Sequence, residues 1–447
     1  MSRRLIVIGG VAAGMSAAAK AKRANRDLEV VVYEKGPFIS YAACGMPYLL
    51  AGDIPDHQAL IARTPEQMAK QGVLVYLRHE VIAVDPQARR VTVRDLDGGR
   101  EFVQDYDQLI IASGARPAWP PIPGSQLDGI FGLRSLQSGL AVQRFLAEYK
   151  PSKAVVVGGG YIGVEMAETL RRLGLEVTVI IRSGKVLSAT LDDDVRKLVH
   201  AELERHGVKL IQSTPIAFDG TGLVKAVVTR EQSFPCDLAL LGMGVRPNVE
   251  LAQAAGVALG PTGAIASDDH MRTNVPDVYT AGDCAEAWHL VTGRPAYIPL
   301  GSTANKQGRV AGTNAAGGDA VFRGIVGTTV VRCFELTVAS TGLTAVQARA
   351  AGFEVQETLI QAPDVSHFFP GAADLHVKLV VDRGSDRLLG GQIVGVHGVA
   401  KRVDTLATAL YNHMTVAELR QLDLSYAPPF APVWDPILVA ANVAASE

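Results

Sequence analysis

The chain is long enough for two or three domains and carries almost no net charge. Of its 447 residues 48% are hydrophobic, and its formal charge of −2 argues against nucleic acid as a partner. No apolar run reaches the ~18 residues of a membrane span, and four scattered cysteines form no disulfide framework. We therefore expect a cytoplasmic globular protein without a membrane segment.

The first predicted element is a buried strand at residues 5–8 that turns, through three glycines, into a helix of small residues. Backbone N–H groups at such a helix start favour a pyrophosphate. The next strand, residues 28–33, ends in Glu34, an acidic position suited to a ribose hydroxyl. The pattern predicts a dinucleotide site, although Val11 replaces the usual middle glycine and leaves less room for the phosphate.

A lone cysteine, Cys44, follows this unit within residues 40–48. A thiolate carries out sulfur chemistry, so the site must ionise Cys44 through positive charge, a helix start or a flavin. No second cysteine lies within a turn of it, so its redox partner comes from outside as a thiol, a persulfide or the oxygen of a sulfenic acid. An inert buried cysteine is the alternative for an isolated residue, but this context favours a redox role.

The segment between Asp53 and Asp107 alternates apolar and polar residues, as in 73–77 and 91–94, and we interpret it as the antiparallel part of the first domain. Residues 109–117 then predict another buried strand with a tight glycine turn. A proline-rich connection follows and marks a pause between two units.

A second strand, glycine turn and helix begin at residue 153, and here all three fingerprint glycines are present. The strand at residues 176–181 ends in Arg182, which accommodates a 2′-phosphate and favours NADPH, although an Arg182 facing solvent is compatible with NADH. A later strand and glycine turn at 240–247 repeats the plan of 109–117. Two copies of one plan imply two bound nucleotides.

The chain then returns to the first unit. An apolar strand ends in Ala281-Gly282-Asp283, which puts a carboxylate at the carboxyl edge of a parallel sheet, within reach of a ribityl hydroxyl. The ordered glycine turns, Glu34 and this return strand resemble the pyridine nucleotide-disulfide oxidoreductases over the whole chain. Members of that superfamily bind FAD in an interrupted first domain and NAD(P)H in an inserted second one.

The resemblance implies an α/β fold with two Rossmann-like nucleotide-binding domains and an α+β C-terminal dimerisation domain. We expect the FAD domain at residues 1–150 and 268–323, the NAD(P)H domain at 151–267 and the dimerisation domain at 324–447. The expected cofactor-binding residues are Gly9, Gly10, Ala13, Gly14, Glu34, Lys35, Ala112, Gly114, Gly158, Gly160, Tyr161, Ile162, Gly163, Arg182, Gly244, Gly282, Asp283 and Ala304.

Two stretches, the single-cysteine segment at 40–48 and the proline-rich segment at 426–436, are similar to the coenzyme A-disulfide reductase and NAD(P)H sulfur (polysulfide) reductase branch. Peroxidases and oxidases of this fold carry a histidine in the first glycine turn, where this chain has Ala12. The resemblance implies that Cys44 forms a mixed disulfide with coenzyme A and that Tyr426 of the other subunit stabilises its thiolate.

The resemblance further implies coenzyme A contacts at Ser16, Lys20, Arg23, Ser40, Asn305 and Trp434. Lys20 and Arg23 also have a physical reason, because coenzyme A carries several phosphate charges. The branch often has a tyrosine pair where this chain has Phe368-Phe369, which favours sulfur or polysulfide over coenzyme A disulfide as the acceptor.

The apolar, proline-rich segment at 428–436 predicts burial in a two-fold interface and hence a homodimer. The resemblance implies that this homodimer has a shared active site. No metal site is expected, and we assign His367, His397 and His413 to surface or core packing. Two alternative functions stay open: an NADH oxidase or peroxidase that uses a Cys44 sulfenate, and a flavin redox carrier without a small-molecule sulfur substrate.

Overall fold

The computed structural model describes residues 3–445 and contains three five-stranded sheets with helices packed against them. The strands are β1 Arg4–Ile8, β2 Glu29–Glu34, β3 Val73–Leu77, β4 His79–Asp85, β5 Arg90–Asp95, β6 Glu101–Asp105, β7 Gln108–Ile111, β8 Ala115–Pro117, β9 Ile130–Gly132, β10 Lys153–Val157, β11 Glu176–Ile181, β12 Lys209–Gln212, β13 Pro215–Thr221, β14 Leu223–Thr229, β15 Ser233–Pro235, β16 Leu238–Leu241, β17 Val245–Pro247, β18 Val278–Thr280, β19 Ala287–His289, β20 Arg294–Ala296, β21 Thr329–Cys333, β22 Leu336–Gly342, β23 Val355–Pro363, β24 Asp374–Asp382 and β25 Leu388–Gly395.

The helices are α1 Ala12–Ala24, α2 Met46–Leu50, α3 Pro65–Ala69, α4 Leu136–Tyr149, α5 Tyr161–Arg172, α6 Asp193–Arg205, α7 Glu250–Ala254, α8 Gly301–Ala315, α9 Ala345–Ala351, α10 Val399–Tyr411, α11 Val416–Leu419 and α12 Pro436–Ala444, with 3₁₀ turns at Ala43–Gly45 and His57–Leu60. Within residues 3–445, no helix has the length and apolar character needed to cross a membrane.

The first sheet is parallel, with strand order β18-β7-β1-β2-β3. Its central strand β1 is almost wholly apolar and buried, as expected for a strand covered on both faces. Helices α1 and α8 pack together on one face and share a core with the strands. The chain thus returns after residue 267 to complete this sheet with β18, which confirms the predicted interruption of the first nucleotide-binding fold.

The interpretation of residues 73–77 as antiparallel is wrong. This segment is β3, which pairs in parallel with β2 at the edge of the first sheet. Its side chains alternate between buried and more exposed positions, because an edge strand is covered less completely than a central one. The alternation therefore has the appearance of an antiparallel strand. Residues 91–94 do lie in an antiparallel sheet, β4-β5-β6.

The second parallel sheet has the order β12-β11-β10-β16-β9. Strand β9, at residues 130–132, belongs to it although it precedes the expected boundary at residue 151. Strand β9 belongs to the second sheet because it pairs in parallel with the buried strand β16, where Phe131 lies opposite Leu240. The two short strands that follow the equivalent glycine turns, β8 and β17, pair with each other and connect the two sheets.

The C-terminal sheet is antiparallel, with the order β21-β22-β25-β24-β23. Every residue of β25 is buried, because α10 packs on this strand and α6 also reaches it. Glycines in β25 permit the close approach: a Cβ at Gly391 would lie 2.5 Å from a methyl carbon of Leu406 on α10. Helix α12 packs against β23 and β24.

Candidate active site

The first glycine turn leaves no room for side chains. Gly9 has φ +101°, and a Cβ there would lie 2.2 Å from the backbone oxygen of Ala112. A Cβ at Gly14 would lie 1.8 Å from the oxygen of Gly9, so helix α1 starts directly against the end of β1. No side chain caps the N-terminus of α1, which leaves its first N–H groups available to an anion.

Glu34 stands at the end of β2 beside this turn, as predicted. One carboxylate oxygen accepts a 2.7 Å hydrogen bond from the Gly10 N–H and the other accepts a 2.7 Å bond from the Gly36 N–H. These bonds fix the orientation of the carboxylate, which still has lone pairs for ribose hydroxyls. Lys35 next to it is exposed.

The return strand places Gly282 and Asp283 at the same edge. Gly282 has φ +85°, and a Cβ there would lie 2.7 Å from the Ala13 side chain and 3.6 Å from that of Ala304. The structure therefore brings together predicted residues from α1, β18 and α8. Asp283 forms an ion pair with Arg134, a residue that precedes α4 and that the sequence analysis missed.

These features fit the adenine-ribose, pyrophosphate and ribityl parts of FAD. The fit rests on the bare helix start, the oriented Glu34 carboxylate and the Asp283 carboxylate at one sheet edge. Bound there, FAD would supply a two-electron relay between a nicotinamide and a sulfur centre. Gly114, with φ +68°, leads from this edge into β8.

Cys44 lies in the 3₁₀ turn that leads into α2, after the first dinucleotide unit. The turn is fixed to that unit, because the N–H of Ser40 donates a 2.8 Å bond to the oxygen of Gly10 and Ser40 takes a left-handed φ of +48°. Cys44 keeps solvent access, whereas the other three cysteines are buried and all four are free thiols.

The chain alone does not favour a Cys44 thiolate. Desolvation by the surrounding protein raises the pKa of the Cys44 thiol, and the nearby Glu165 carboxylate raises it further. Arg134 lowers this pKa, and Asp283 raises it. Arg134 therefore supplies the positive charge expected near the cysteine, but desolvation and the two carboxylates outweigh its effect on the Cys44 pKa.

The second glycine turn repeats the first. Gly158 has φ +109°, and a Cβ there would meet the oxygen of Gly242 at 2.4 Å, while one at Gly163 would lie 2.1 Å from the oxygen of Gly158. Gly160 starts helix α5 without a side-chain cap, so a second pyrophosphate site is available.

The remaining predicted residues of the second unit surround this turn. Tyr161 bonds through its hydroxyl to Thr329, so it anchors α5 to the C-terminal domain, and Ile162 beside it is partly buried. Arg182 follows β11 and is exposed. Gly244, with φ +90°, leads into β17 as Gly114 leads into β8.

Four of the predicted coenzyme A contacts lie along α1 and α8. Ser16, Lys20 and Arg23 fall on one face of α1 by their spacing. The Ser16 hydroxyl lies 2.5 Å from the side-chain oxygen of Asn305 on α8, which packs beside α1. Two cationic side chains thus follow a polar pair along one face of α1, a suitable arrangement for a phosphorylated ligand.

Tyr426 and Trp434 lie in the segment between α11 and α12. Both are exposed, and the hydroxyl of Tyr426 has no hydrogen-bond partner among residues 3–445. Phe430, Val433 and Phe368 are also exposed, Phe430 by 79%, and a backbone hydrogen bond from Ser366 to Pro428 brings their two segments together. We call this surface, formed by 366–369 and 426–434, the C-terminal apolar surface.

Two residues near Cys44 received no role from the sequence analysis. Tyr48 lies one turn after Cys44, and its hydroxyl donates a 3.4 Å bond to Glu165 on α5. The guanidinium of Arg332, on β21, lies over the Tyr48 ring at 5.0 Å and contacts Glu168 at 2.8 Å. Tyr48 and Glu165 stand inside the two motifs, but only the packing of the two nucleotide units brings them together, and Arg332 approaches from the C-terminal domain.

Comparison with protein-family models identifies both parts of the chain. Residues 3–308 match the pyridine nucleotide-disulphide oxidoreductase family, and residues 328–436 match the dimerisation domain of that family. An NAD(P)H coenzyme A polysulfide/persulfide reductase from Pyrococcus horikoshii is 39% identical over 445 residues, which cover 99% of this chain and 98% of that protein. A coenzyme A disulfide reductase from Staphylococcus haemolyticus is 30% identical over 96% of each chain.

Solved structures agree with this assignment. Reduced CoADR-RHD from Bacillus anthracis superposes with a TM-score of 0.97 at 34% identity, over 100% of this chain and 80% of that one. An engineered water-forming NADPH oxidase superposes with a TM-score of 0.95 at 30% identity, over 99% and 98% of the two chains. Its substitutions include three consecutive changes, from Asp-Ala-Met to Ala-Arg-Ser. On the family matches and the whole-chain similarity, this chain belongs to the pyridine nucleotide-disulphide oxidoreductase family.

Proposed function

We propose that this chain is an FAD-dependent NAD(P)H oxidoreductase that reduces coenzyme A disulfide, coenzyme A persulfide or polysulfide through Cys44. The single observation that carries the proposal is the isolation of Cys44: it is the one solvent-accessible thiol among the four cysteines. A second sulfur for a disulfide must therefore come from the substrate. The names of the relatives from Pyrococcus and Staphylococcus support this class of acceptor.

The chemistry assigned to Cys44 is thiol–disulfide exchange. The Cys44 thiolate forms a bond to one sulfur of the acceptor, the acceptor's sulfur–sulfur bond breaks, and the departing sulfur keeps the bond pair and takes a proton. Two electrons that originate from NAD(P)H then break the mixed disulfide, which releases the second thiol or sulfide and regenerates the Cys44 thiolate. Lys20 and Arg23 hold the phosphates of coenzyme A. Ser16 and Asn305 position the part of coenzyme A that lies between its phosphates and its sulfur.

We propose NADPH as the preferred electron donor. No acid follows β11; the residues there are Ile181, Arg182 and Ser183, and Arg182 is exposed. In the engineered relative that binds NADPH, three consecutive substitutions replace an Asp by Ala and introduce Arg and then Ser. Arg and Ser thus stand in the same order as Arg182 and Ser183. The engineered relative also carries a glycine-to-alanine substitution, and that glycine precedes the new arginine by the same number of residues as Gly163 precedes Arg182 in this chain. The two arginines therefore correspond in position.

We also propose the domain plan and the assembly. The FAD domain comprises residues 1–150 and 268–323 without β9, the NAD(P)H domain comprises 151–267 with β9, and residues 324–447 form the dimerisation domain. The match to a dimerisation domain supports a homodimer, and the C-terminal apolar surface is the part that pairing would cover. Four free thiols suit a reducing compartment such as the cytoplasm.

A comparison of acceptors under anaerobic conditions tests the proposal. NADPH oxidation by the FAD-loaded enzyme is measured with coenzyme A disulfide, coenzyme A persulfide and polysulfide, and then with oxygen alone. Cys44→Ser should retain FAD but lose the sulfur-dependent rate, because a serine hydroxyl forms no mixed disulfide. Cys236→Ala, which removes a buried thiol, should keep it.

A full rate with Cys44→Ser would refute the mechanism. Rapid NADPH consumption that requires oxygen, with no sulfur-dependent rate, would instead favour the oxidase activity named for a relative from Methanocaldococcus jannaschii.

A further inference from the structure

The helix that follows Cys44 packs on the second nucleotide unit. Helix α2 starts at Met46, two residues after Cys44, and its buried side chains, which include Met46 and Leu49, share a hydrophobic cluster with Leu170 of α5. The fit with α4 is equally close, because a Cβ at Gly139 would lie 2.9 Å from the sulfur of Met46. The orientation of the Cys44 turn therefore depends on contacts between the two nucleotide units.

Polar contacts to one face of α5 accompany this apolar packing. The Thr169 hydroxyl donates a 3.2 Å bond to the backbone oxygen of Pro47 on α2. Three residues further along α5, Arg172 donates two bonds to the Asp53 carboxylate, one of 2.8 Å and one of 2.5 Å. Residues three apart lie on the same face of a helix, and a bidentate pair fixes the direction of both planar groups. These contacts therefore fix how the segment 47–53 lies on α5.

Asp53 also binds an arginine from the C-terminal sheet. The guanidinium of Arg332 on β21 donates a 3.1 Å bond to the Asp53 carboxylate and contacts Glu168 of α5 at 2.8 Å. The hydrogen bonds from Arg172 and Arg332 hold the pKa of Asp53 well below its usual range, although desolvation acts in the opposite direction. A charged Asp53 thus joins the segment after α2 to two further parts of the molecule.

The segment itself connects Asp53 to Cys44 over a short distance. The N–H of Ile54, the residue after Asp53, donates a 3.2 Å bond to the backbone oxygen of Tyr48. The Ile54 side chain packs beside Gly45, where an added Cβ would lie 3.6 Å from its terminal methyl group. Gly45 directly follows Cys44 in the 3₁₀ turn. Because α2 has only five residues and is too short to be stable alone, its position depends on these contacts.

We propose that Asp53 is a positioning residue for Cys44: by pairing with Arg172 and Arg332, it holds the Cys44 segment in the orientation that thiol–disulfide exchange requires. The inference rests on the proposed function, because the orientation that matters is that of the reacting thiol. Reacting atoms must approach in line, and a displacement of ~1 Å costs roughly 100-fold in rate.

The second nucleotide unit has other contacts to the C-terminal sheet that do not involve Asp53. Gln392 donates a 2.6 Å bond to Asp192, and Lys378 bonds to Asp194 at 2.8 Å. Loss of the Asp53 carboxylate should therefore loosen the Cys44 segment more than the unit that binds the electron donor. A lower kcat with an unchanged KM for NADPH is the expected kinetic result.

The test is amide hydrogen exchange measured by mass spectrometry on the FAD-loaded protein, which reports local opening and needs no acceptor. Asp53→Asn should accelerate exchange in residues 46–54 by roughly tenfold, within the range for residues of one ion-pair network. Exchange elsewhere and the Tm should change little, because the side chains of Asp53 and Arg172 are 32% and 35% exposed. With coenzyme A disulfide as acceptor, kcat should fall by roughly tenfold.

Two further variants test whether the effect belongs to this pair. Asp105→Asn makes the same chemical change in the antiparallel sheet β4-β5-β6, where Asp105 pairs with Arg90 at 2.7 Å, and it should leave exchange in residues 46–54 and kcat unchanged. The double variant Asp53→Asn with Arg172→Gln should exchange no faster than Asp53→Asn alone, because the first change already breaks the pair.

Unchanged exchange in residues 46–54 of Asp53→Asn would overturn the inference. Additive effects in the double variant would contradict pairing, and faster exchange over the whole chain would assign Asp53 to general stability. Faster local exchange with an unchanged kcat would equally contradict a positioning role. If the unaltered enzyme turned over none of the sulfur acceptors, the proposed function would fail, whereas the exchange rates would still decide whether Asp53 holds the segment.

Discussion

Arg182 is exposed directly after β11, the position at which we propose that the second dinucleotide unit contacts the ribose of its ligand. An acid at this position accepts the two ribose hydroxyls of NADH, whereas an arginine pairs with the 2′-phosphate of NADPH. A hydrogen bond to a charged group contributes ~1.5–3 kcal/mol, which corresponds to roughly tenfold or more in specificity.

We predict that Arg182→Glu reverses the coenzyme preference. The ratio of kcat/KM for NADPH to kcat/KM for NADH should fall by at least about tenfold, because the phosphate partner is lost and like charge replaces it. Lys209→Glu makes the same charge change at the amino end of β12, away from the carboxyl end of β11 that Arg182 follows. It should leave the ratio unchanged. A ratio unaffected by Arg182→Glu would show that this side chain does not contact the ribose.

At the scale of single residues, the positions of several residues of the candidate FAD site could be predicted. Glu34 ends β2, Gly282 and Asp283 come shortly after β18, and the carboxyl ends of these parallel strands meet at one edge of the first sheet. Arg134, Tyr48 and Glu165 were given no role, because each acts through a partner more than a hundred residues away in the chain. A lone polar residue has no spacing pattern that reveals such a partner.

At the scale of elements, the prediction was correct wherever a buried strand is followed by glycine and wrong where burial is partial. Strand β3 alternates because it is an edge strand, and an edge strand cannot be distinguished from an antiparallel one by alternation alone. Strand β9 is only three residues long and far in sequence from its partner β16. Its place in the second sheet depends on tertiary pairing.

Glycines in β25 allow the C-terminal sheet to pack, and this gives an element-scale prediction. A Cβ at Gly390 would lie 2.1 Å from the backbone oxygen of Leu343, which cannot move without disturbing β22. We predict that Gly390→Ala lowers the free energy of unfolding by ~1–3 kcal/mol through overpacking. Chemical denaturation of the FAD-loaded protein measures this change.

Gly384 provides the matched control for this strand. It lies in the turn between β24 and β25, and no atom lies within 4 Å of a Cβ built there. Gly384→Ala should leave the free energy of unfolding within ~0.5 kcal/mol of the original. Equal losses for the two alanine variants would mean that backbone freedom, and not the contact with Leu343, determines the cost.

At the scale of the whole molecule, buried charges join the second nucleotide unit to the C-terminal sheet. Lys378 is buried in β24, and its amino group bonds to Asp194 at 2.8 Å and to Glu357 at 2.6 Å. Gln392 donates a 2.6 Å bond to Asp192, just before α6. A buried cation needs its partners, so this cluster connects the start of α6, in the second nucleotide unit, to the C-terminal sheet.

The C-terminal apolar surface predicts that one active site uses residues of two chains. Tyr426 is exposed and its hydroxyl has no hydrogen-bond partner in the described part of one chain, while partial desolvation by that chain raises the pKa of the Cys44 thiol. A phenol O–H delivered by a second chain would stabilise the thiolate. Tyr426→Phe should therefore preserve the dimer and FAD, raise the midpoint of Cys44 alkylation and slow turnover.

Mixing two impaired chains distinguishes a shared site from a packing role. A dimer of a Cys44→Ser chain with a Tyr426→Phe chain has one site with both residues altered and one with both intact, if the sites are shared. When the two chains reassociate at random in equal amounts, half of the dimers are mixed, and each mixed dimer has one working site out of two. About one quarter of all sites should therefore work. The measured activity should exceed the sum of the activities of the two parent dimers. If each site were built within one chain, every site in the mixture would lack either the Cys44 thiol or the Tyr426 hydroxyl, and mixing would then restore no activity.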